Sequence, residues 1–361
     1  MNKKFESQFK RIVGGTEEEK LEAKKELQEI FESEEKNGRF SSYELLTTER
    51  DEKIIQNTES NVDKIVKFYG GNAYPLPRKN IYVFKYGAVK ILSKGKFEEG
   101  YHHVLGQRIF VEKRSSNIGL AITFAHELFH LKSYKSAQID KKGKPDVYRS
   151  GISVFSAKRE VNYFEKLEEA IIANLTHQFY QREIKNNPLY QTEVENTEKI
   201  KEKIKELMKK IGFKEEEQRM ILDEIYSIPY SNPESVIKIL EGDKVKNFLE
   251  KDKSSTTRLG SIHGVIDGII EKEGGKVMFF ERYLEKQKFD KLLEKILAKS
   301  GDRFKNKQEL FDQFAKAHFS GNLLPLARII ETSLGKGAFR KIAEEFSKGP
   351  KIKKQGDEIS R

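Results

Sequence analysis

Two imidazoles and a carboxylate stand within five residues of one another in a stretch that is otherwise almost wholly apolar. The segment from Asn117 to Leu131 reads NIGLAITFAHELFHL, and from Ile118 onward its only polar side chains are Thr123, His126, Glu127 and His130. A helix that is apolar on nearly all faces belongs in a core, and this one is too short to span a bilayer. A carboxylate buried there needs a compensating charge, which a divalent cation supplies. The spacing agrees. His126 and His130 are four residues apart, so they stack on one helical face and can both reach one ion. Glu127 lies about 100° round from His126, where it can face a metal-bound water without becoming a ligand. His126-Glu127-Leu128-Phe129-His130 is therefore the H-E-x-x-H arrangement, whose chemistry is hydrolysis by a zinc-activated water with the glutamate as general base. The bland alternative is two satisfied core histidines with Glu127 paired to a lysine; it is the lesser reading because buried charge without a dedicated partner is rare.

Two histidines leave a tetrahedral zinc site one protein ligand short, with the fourth position for water. The metzincin continuation needs Gly and then His soon after His130, and LKSYKS supplies neither; the inverted H-x-x-E-H order is also absent. A glutamate on a later helix remains. LEEAIIANLTHQF, from Leu167 to Phe179, resembles the glutamate-bearing helix of the gluzincin, thermolysin-like class of zinc metallopeptidases, whose pattern is L-N-E-A or L-N-E-G. The resemblance covers about Gln107 to Tyr180. It implies a zincin-like core, Zn2+ as cofactor, Glu169 as third ligand and a peptide or protein substrate. Helical-wheel geometry keeps Glu168 open as the alternative, because it lies nearer than Glu169 to the apolar stripe of Phe164, Leu167, Ile171 and Leu175. Where the class often has an aspartate four residues after the ligand, to orient a histidine, this chain has Ala173, so that support is expected from elsewhere, with Asn174 as one candidate. The G-x-M-E-N motif of the aminopeptidase branch is missing.

An oxyanion stabiliser is usually a Tyr, His or Arg, and Tyr148 and Arg149 lie in the right region. Their alternative reading is that of ordinary strand residues. His177 reads as a surface or capping histidine. His102-His103 could form a second metal site, with a solvated turn as the simpler reading. Glu165 is either a support residue or exposed, and His263 and His318 receive no role. G-x-G-x-x-G and the phosphate-binding G-x-x-x-x-G-K-[ST] are absent.

Several elements must position these residues. Thr16 with Glu19 forms a capping box opening a helix to about Phe31, and a second helix is expected near 61–68. Residues 81–86, 88–92 and 107–111 read as short strands. Leu105 to Glu112 is expected to be the last strand before the central helix and an edge strand for the substrate. That helix is capped by Ser115, Ser116 or Asn117. Residues 138–146 read as a loop and 148–156 as a strand, followed by a helix over 162–182. Helices are expected at roughly 193–211, 214–226, 233–250, 260–272, 278–298, 306–318, 324–334 and 337–347. The expectation is an α+β fold: a zincin-like core with a small, mostly antiparallel sheet and two zinc-binding helices, joined to a large helical C-terminal portion. The divisions are 1–70, 71–183, 184–348 and a polar tail at 349–361.

Composition sets the outer limits. The 361 residues are 35% charged and 37% hydrophobic, a charge-rich globular profile. The formal charge of +11 is spread over a surface that also carries 57 acids, so nucleic acid is not the expected partner. Lys-rich 199–210 reads as an amphipathic helix without the interleaved aromatics of a single-strand binding surface. Without cysteine, neither thiolate zinc sites nor cysteine nucleophiles are possible. No signal-peptide core or membrane span is evident, so a cytoplasmic location is expected. Two other functions fit the same sequence: a metal-binding regulator that cleaves or binds one intracellular partner, and a basic scaffold or nucleic-acid binder carrying the motif by accident.

Overall fold

The computed structural model describes residues 9–33, 40, 42–95, 99–113, 116–156, 161–210, 212–227, 238, 278–279 and 283–347. The chain is α+β, with small mixed sheets. The sheets do not form one mostly antiparallel unit; each of the two larger ones combines a single parallel pair with antiparallel pairing. Apart from residue 238, which is helical, the helices expected over 233–250 and 260–272, with His263, lie outside the described residues.

The first helix, α1 (Glu17–Ser33), opens on the expected reciprocal cap: Glu19 N donates to Thr16 Oγ1 at 3.2 Å and Thr16 N to Glu19 Oε2 at 2.7 Å. The second, α2 (Glu49–Phe68), begins well before residue 61, because Thr48 and Asp51 form a capping box of their own. It buries Ile54, Ile55, Val62 and Val66 on one face. Strands β2 (Ile81–Phe84), β3 (Gly100–His103) and β4 (Arg108–Glu112) make a sheet of order β2-β4-β3, with β2 parallel and β3 antiparallel to β4. The expected edge strand at 105–112 is therefore the central strand, paired on both sides, and β3 is the edge. Residues Ala88–Leu92, read as a strand, form a short helix, α3. Its first turn is capped from a distance by the Glu112 carboxylate, which accepts from Gly87 N at 2.9 Å and Val89 N at 2.8 Å.

The second sheet runs β1-β5-β6-β7-β8, comprising Phe9–Val13, Lys135–Ile139, Pro145–Ser150, Ser153–Phe155 and Asn162–Tyr163. The expected loop at 138–146 is a hairpin whose turn is closed by Asp140 Oδ1, accepting from Lys142 N at 2.8 Å and Lys144 N at 2.9 Å. The stretch read as one strand at 148–156 is two, folded at Gly151.

Helix α4 (Asn117–Leu131) is buried along most of its length and packs against α2, β3, β4 and α5 (Glu165–Phe179). Both of its ends are fastened. Ser116 Oγ accepts from Gly119 N at 2.6 Å. Glu193, on α6 (Gln191–Lys210), accepts from Asn117 N at 2.9 Å and Ile118 N at 3.3 Å, placing negative charge at the helix N-terminus. Just beyond the C-terminus, Lys132 reaches Glu59, Asp63 and the Tyr74 carbonyl. A short π turn (Tyr180–Ile184) follows α5. Then come α7 (Glu215–Glu224), the pair β9 (Ile225–Ser227) and β10 (Met278–Phe279), α8 (Tyr283–Leu297), α9 (Lys307–Ser320), α10 (Leu323–Leu334) and α11 (Ala338–Glu345). One apolar core runs from Ile54 through Leu128 and Phe179 to Phe346, crossing the sequence divisions at 70 and 183.

Candidate metal centre

The helical register of α4 brings His126 and His130 to Glu169, near the start of α5. His126 Nε2 lies 3.8 Å from Glu169 Oε2, and His130 Nε2 lies 3.5 Å from Glu169 Oε1. The three ligand atoms lie within 4.8 Å of one another. Zinc bonds to such atoms at roughly 2.0–2.2 Å, which sets tetrahedral neighbours about 3.3–3.5 Å apart. The donor set, two imidazoles and a carboxylate, suits Zn2+ and other divalent ions that accept mixed N and O ligands. Charge points the same way. Burial opposes a proton on His130, yet Glu169, Glu168 and Glu127 together drive its pKa up to about 10. The pocket thus favours positive charge between its imidazoles and carboxylates, and a cation would satisfy it.

Glu168 and Glu169 divide the two roles left open by the helical wheel. Glu169 faces both Nε2 atoms and its side chain is 18% exposed; Glu168, at 4%, lies behind His130 with Oε1 3.6 Å from Nδ1. Ser153 N donates to Glu168 Oε2 at 3.2 Å and Ser150 Oγ to Oε1 at 3.4 Å. Burial works to raise the Glu168 carboxyl, but His130, His318 and Lys135 outweigh it and hold the group down at about 2. Its nearness to the apolar stripe reflects this inward placement. Asn174, the candidate support residue, instead bonds its own helix, donating to Ala170 O at 2.9 Å.

Two further buried groups complete the back of the centre. Lys135 Nζ donates to His130 O at 2.6 Å, Ser133 Oγ at 2.7 Å and Ser150 Oγ at 2.5 Å; burial lowers its pKa to about 8 against the pull of Glu168. His318, from α9, is fully buried with Nε2 3.4 Å from Phe129 O. Gly151 makes room for it. With φ at +55°, Gly151 sits where a Cβ would fall 2.2 Å from His318 Nδ1 and 3.0 Å from Glu168 Oε1.

Among the described residues, Glu127 has His102 as a partner. Its Oε2 lies 2.8 Å from His102 Nδ1, and the His102 ring stacks on His130 with centroids 4.7 Å apart. His102 is on β3 and not in a turn, and among the described residues the group placed to hold a metal is His126, His130 and Glu169. Alternation along the strand sends His103 to the opposite face. Burial pushes the His102 pKa well below its usual value; with a neutral ring beside an ionised Glu127, Nδ1–H is the donor of this bond. Neither His102 nor Lys135 was legible as part of the centre, because each is carried there by strand pairing; the weak sequence signal was Gly100 two residues before His102.

Arg149 does not reach the centre. Its Nε donates to Gly151 O at 2.8 Å, its Nη1 to Gly321 O at 2.7 Å, and the guanidinium lies 4.8 Å over the Tyr134 ring. The pleat explains this, since Ser150 faces Glu168 and its neighbour must face away. Tyr148 is half-buried and falls at a register irregularity of β6, and among the described residues no hydrogen bond or ion pair joins it to His126, His130 or Glu169. Glu165 accepts from Asn162 Nδ2 at 2.9 Å at the start of α5. His177 is half-buried, held down at about 4 by burial and by Lys286 and Lys201. No described helix is long and apolar enough to cross a membrane. Comparison with family models gives no match, and comparison with curated proteins and with solved structures gives none either.

Proposed function

We propose that the chain is a zinc-dependent peptidase. The observation that carries this reading is the convergence of His126, His130 and Glu169 from two helices onto one point beside Glu127. Bound there, zinc would polarise a carbonyl and bring the pKa of a coordinated water toward neutrality. Glu127 takes the proton from the attacking water and delivers it to the departing amine nitrogen. Glu168 holds His130 so that Nε2, and not Nδ1, faces the ligand cluster. The side chains of His126 and Glu169 are each 18% exposed, which leaves that side of the cluster open to a substrate. Strand β3, at the sheet edge, is the surface for an extended substrate backbone to join as an added strand.

The test is elemental analysis of the purified chain together with cleavage of casein, an unstructured protein. The expected result is about one zinc per chain, lost in His126→Ala. Glu127→Gln should retain zinc but not hydrolysis. A zinc-free protein, or a Glu127→Gln variant that cleaves as fast as the wild type, overturns the proposal.

A further inference from the structure

We infer that His102 is a positioning residue for the general base, delivered by the edge strand β3. The inference rests on the reading of Glu127 as that base. A glutamate turns about three side-chain bonds, and a base must be held within about 0.5 Å of its productive position. Helix α4 fixes the Glu127 backbone but not its carboxylate. The 2.8 Å bond from His102 Nδ1 to Oε2 is a constraint on that carboxylate. The stack of the two imidazoles, at an interplanar angle of 17°, fixes the His102 ring in turn. The strand is built for this approach. Gly100 and His102 are two residues apart and so share a face of β3. A Cβ on Gly100 would fall 2.8 Å from Thr123 Cγ2 and 3.3 Å from Glu127 Cγ. The absent side chain lets β3 press onto α4 beside the stem of Glu127, and the pairing of His102 with Ile109 holds the register. One strand therefore touches the base at both its stem and its carboxylate.

The tests use the full chain loaded with zinc. For His102→Ala, kcat on fluorescein-labelled casein should fall about 10- to 100-fold, the scale of lost supporting contacts around metal centres. KM should stay within about twofold and zinc near one per chain, because uniform binding is untouched. His102→Asn, whose amide N–H can take the place of Nδ1–H, should recover much of the rate. His102→Phe, which keeps the ring but lacks the donor, should not. Independently of activity, long-range 1H–15N correlation should find His102 as the Nδ1–H tautomer, with that proton shifted in Glu127→Ala. An active wild type with unchanged kcat in His102→Ala, or the Nε2–H tautomer, overturns the inference alone. A wild type that holds no zinc overturns the peptidase reading beneath it, and the tautomer then still decides whether the His102–Glu127 bond exists.

Discussion

Replacing Glu168 and Glu169 separately by glutamine gives the sharpest test of how the centre divides its labour. Both substitutions remove one negative charge at nearly constant volume. Glu169→Gln neutralises the carboxylate whose two oxygens face His130 Nε2 at 3.5 Å and His126 Nε2 at 3.8 Å, so zinc binding should be lost at micromolar protein. Glu168→Gln leaves all three proposed ligands in place and weakens only the support of His130, predicting an affinity about 10- to 100-fold lower, or roughly 1.4–2.7 kcal/mol. Stability should respond in the opposite order. Glu168 is held at about 2 against an ordinary value of 4.5, and at about 1.4 kcal/mol per pKa unit this ionised carboxylate contributes on the order of 3 kcal/mol at neutral pH. Because its pKa is depressed, that stability is complete above about pH 4.5 and is lost as pH falls toward 2. Its removal also strands the buried Lys135 ammonium. Competition with a chromophoric chelator measures the first effect, and urea unfolding of the metal-free chains at pH 7 the second. Zinc binding destroyed by Glu168→Gln but preserved in Glu169→Gln would refute the assignment of the two carboxylates.

Further outcomes are expected elsewhere. Gly151→Ala combines a left-handed backbone with a Cβ 2.2 Å from His318 Nδ1, and should destabilise by about 3 kcal/mol or more; a melting temperature and zinc content equal to wild type would remove the packing argument. His177, held at about 4, resists a proton that the unfolded chain accepts from about pH 6.5. Stability should therefore be intact above pH 6.5 and fall by up to about 1.4 kcal/mol per pH unit from 6.5 toward 4. Urea unfolding at pH 7 and pH 5 should show a smaller difference for His177→Gln than for wild type.

The central helix was readable because its chemistry and its burial are written in one continuous stretch: the same fifteen residues that bear His126, Glu127 and His130 carry the apolar surface that hides them. Glu169 was readable from its short local pattern, whereas the role of Glu168 required knowing which side of His130 the helix would approach. Residues 88–92 misled because AVKIL has strand-like content and its helical cap comes from Glu112, remote in sequence. The parallel pairing of β2 with β4 is equally non-local, and without it β4 reads as an edge. Arg149 was misplaced because being in the right region says nothing about which face of the strand it occupies. His102 reaches Glu127 only through a strand register that no short motif encodes.

The start of α5 has a temporal consequence. Its backbone enters through Phe164, a non-glycine residue at φ 63°, and the first N–H groups are taken by the other end of the molecule: Phe164 N donates to Ala343 O at 3.5 Å and Lys166 N to Phe346 O at 3.0 Å. The entry to the helix that presents Glu169 is thus completed by residues made about 180 positions later. On the ribosome, a nascent chain that already carries His126 and His130 does not yet have the Ala343 and Phe346 carbonyls that accept from the start of α5. In the proposed peptidase, cation capture and the hydrolysis that depends on it would then follow the emergence of these last helices.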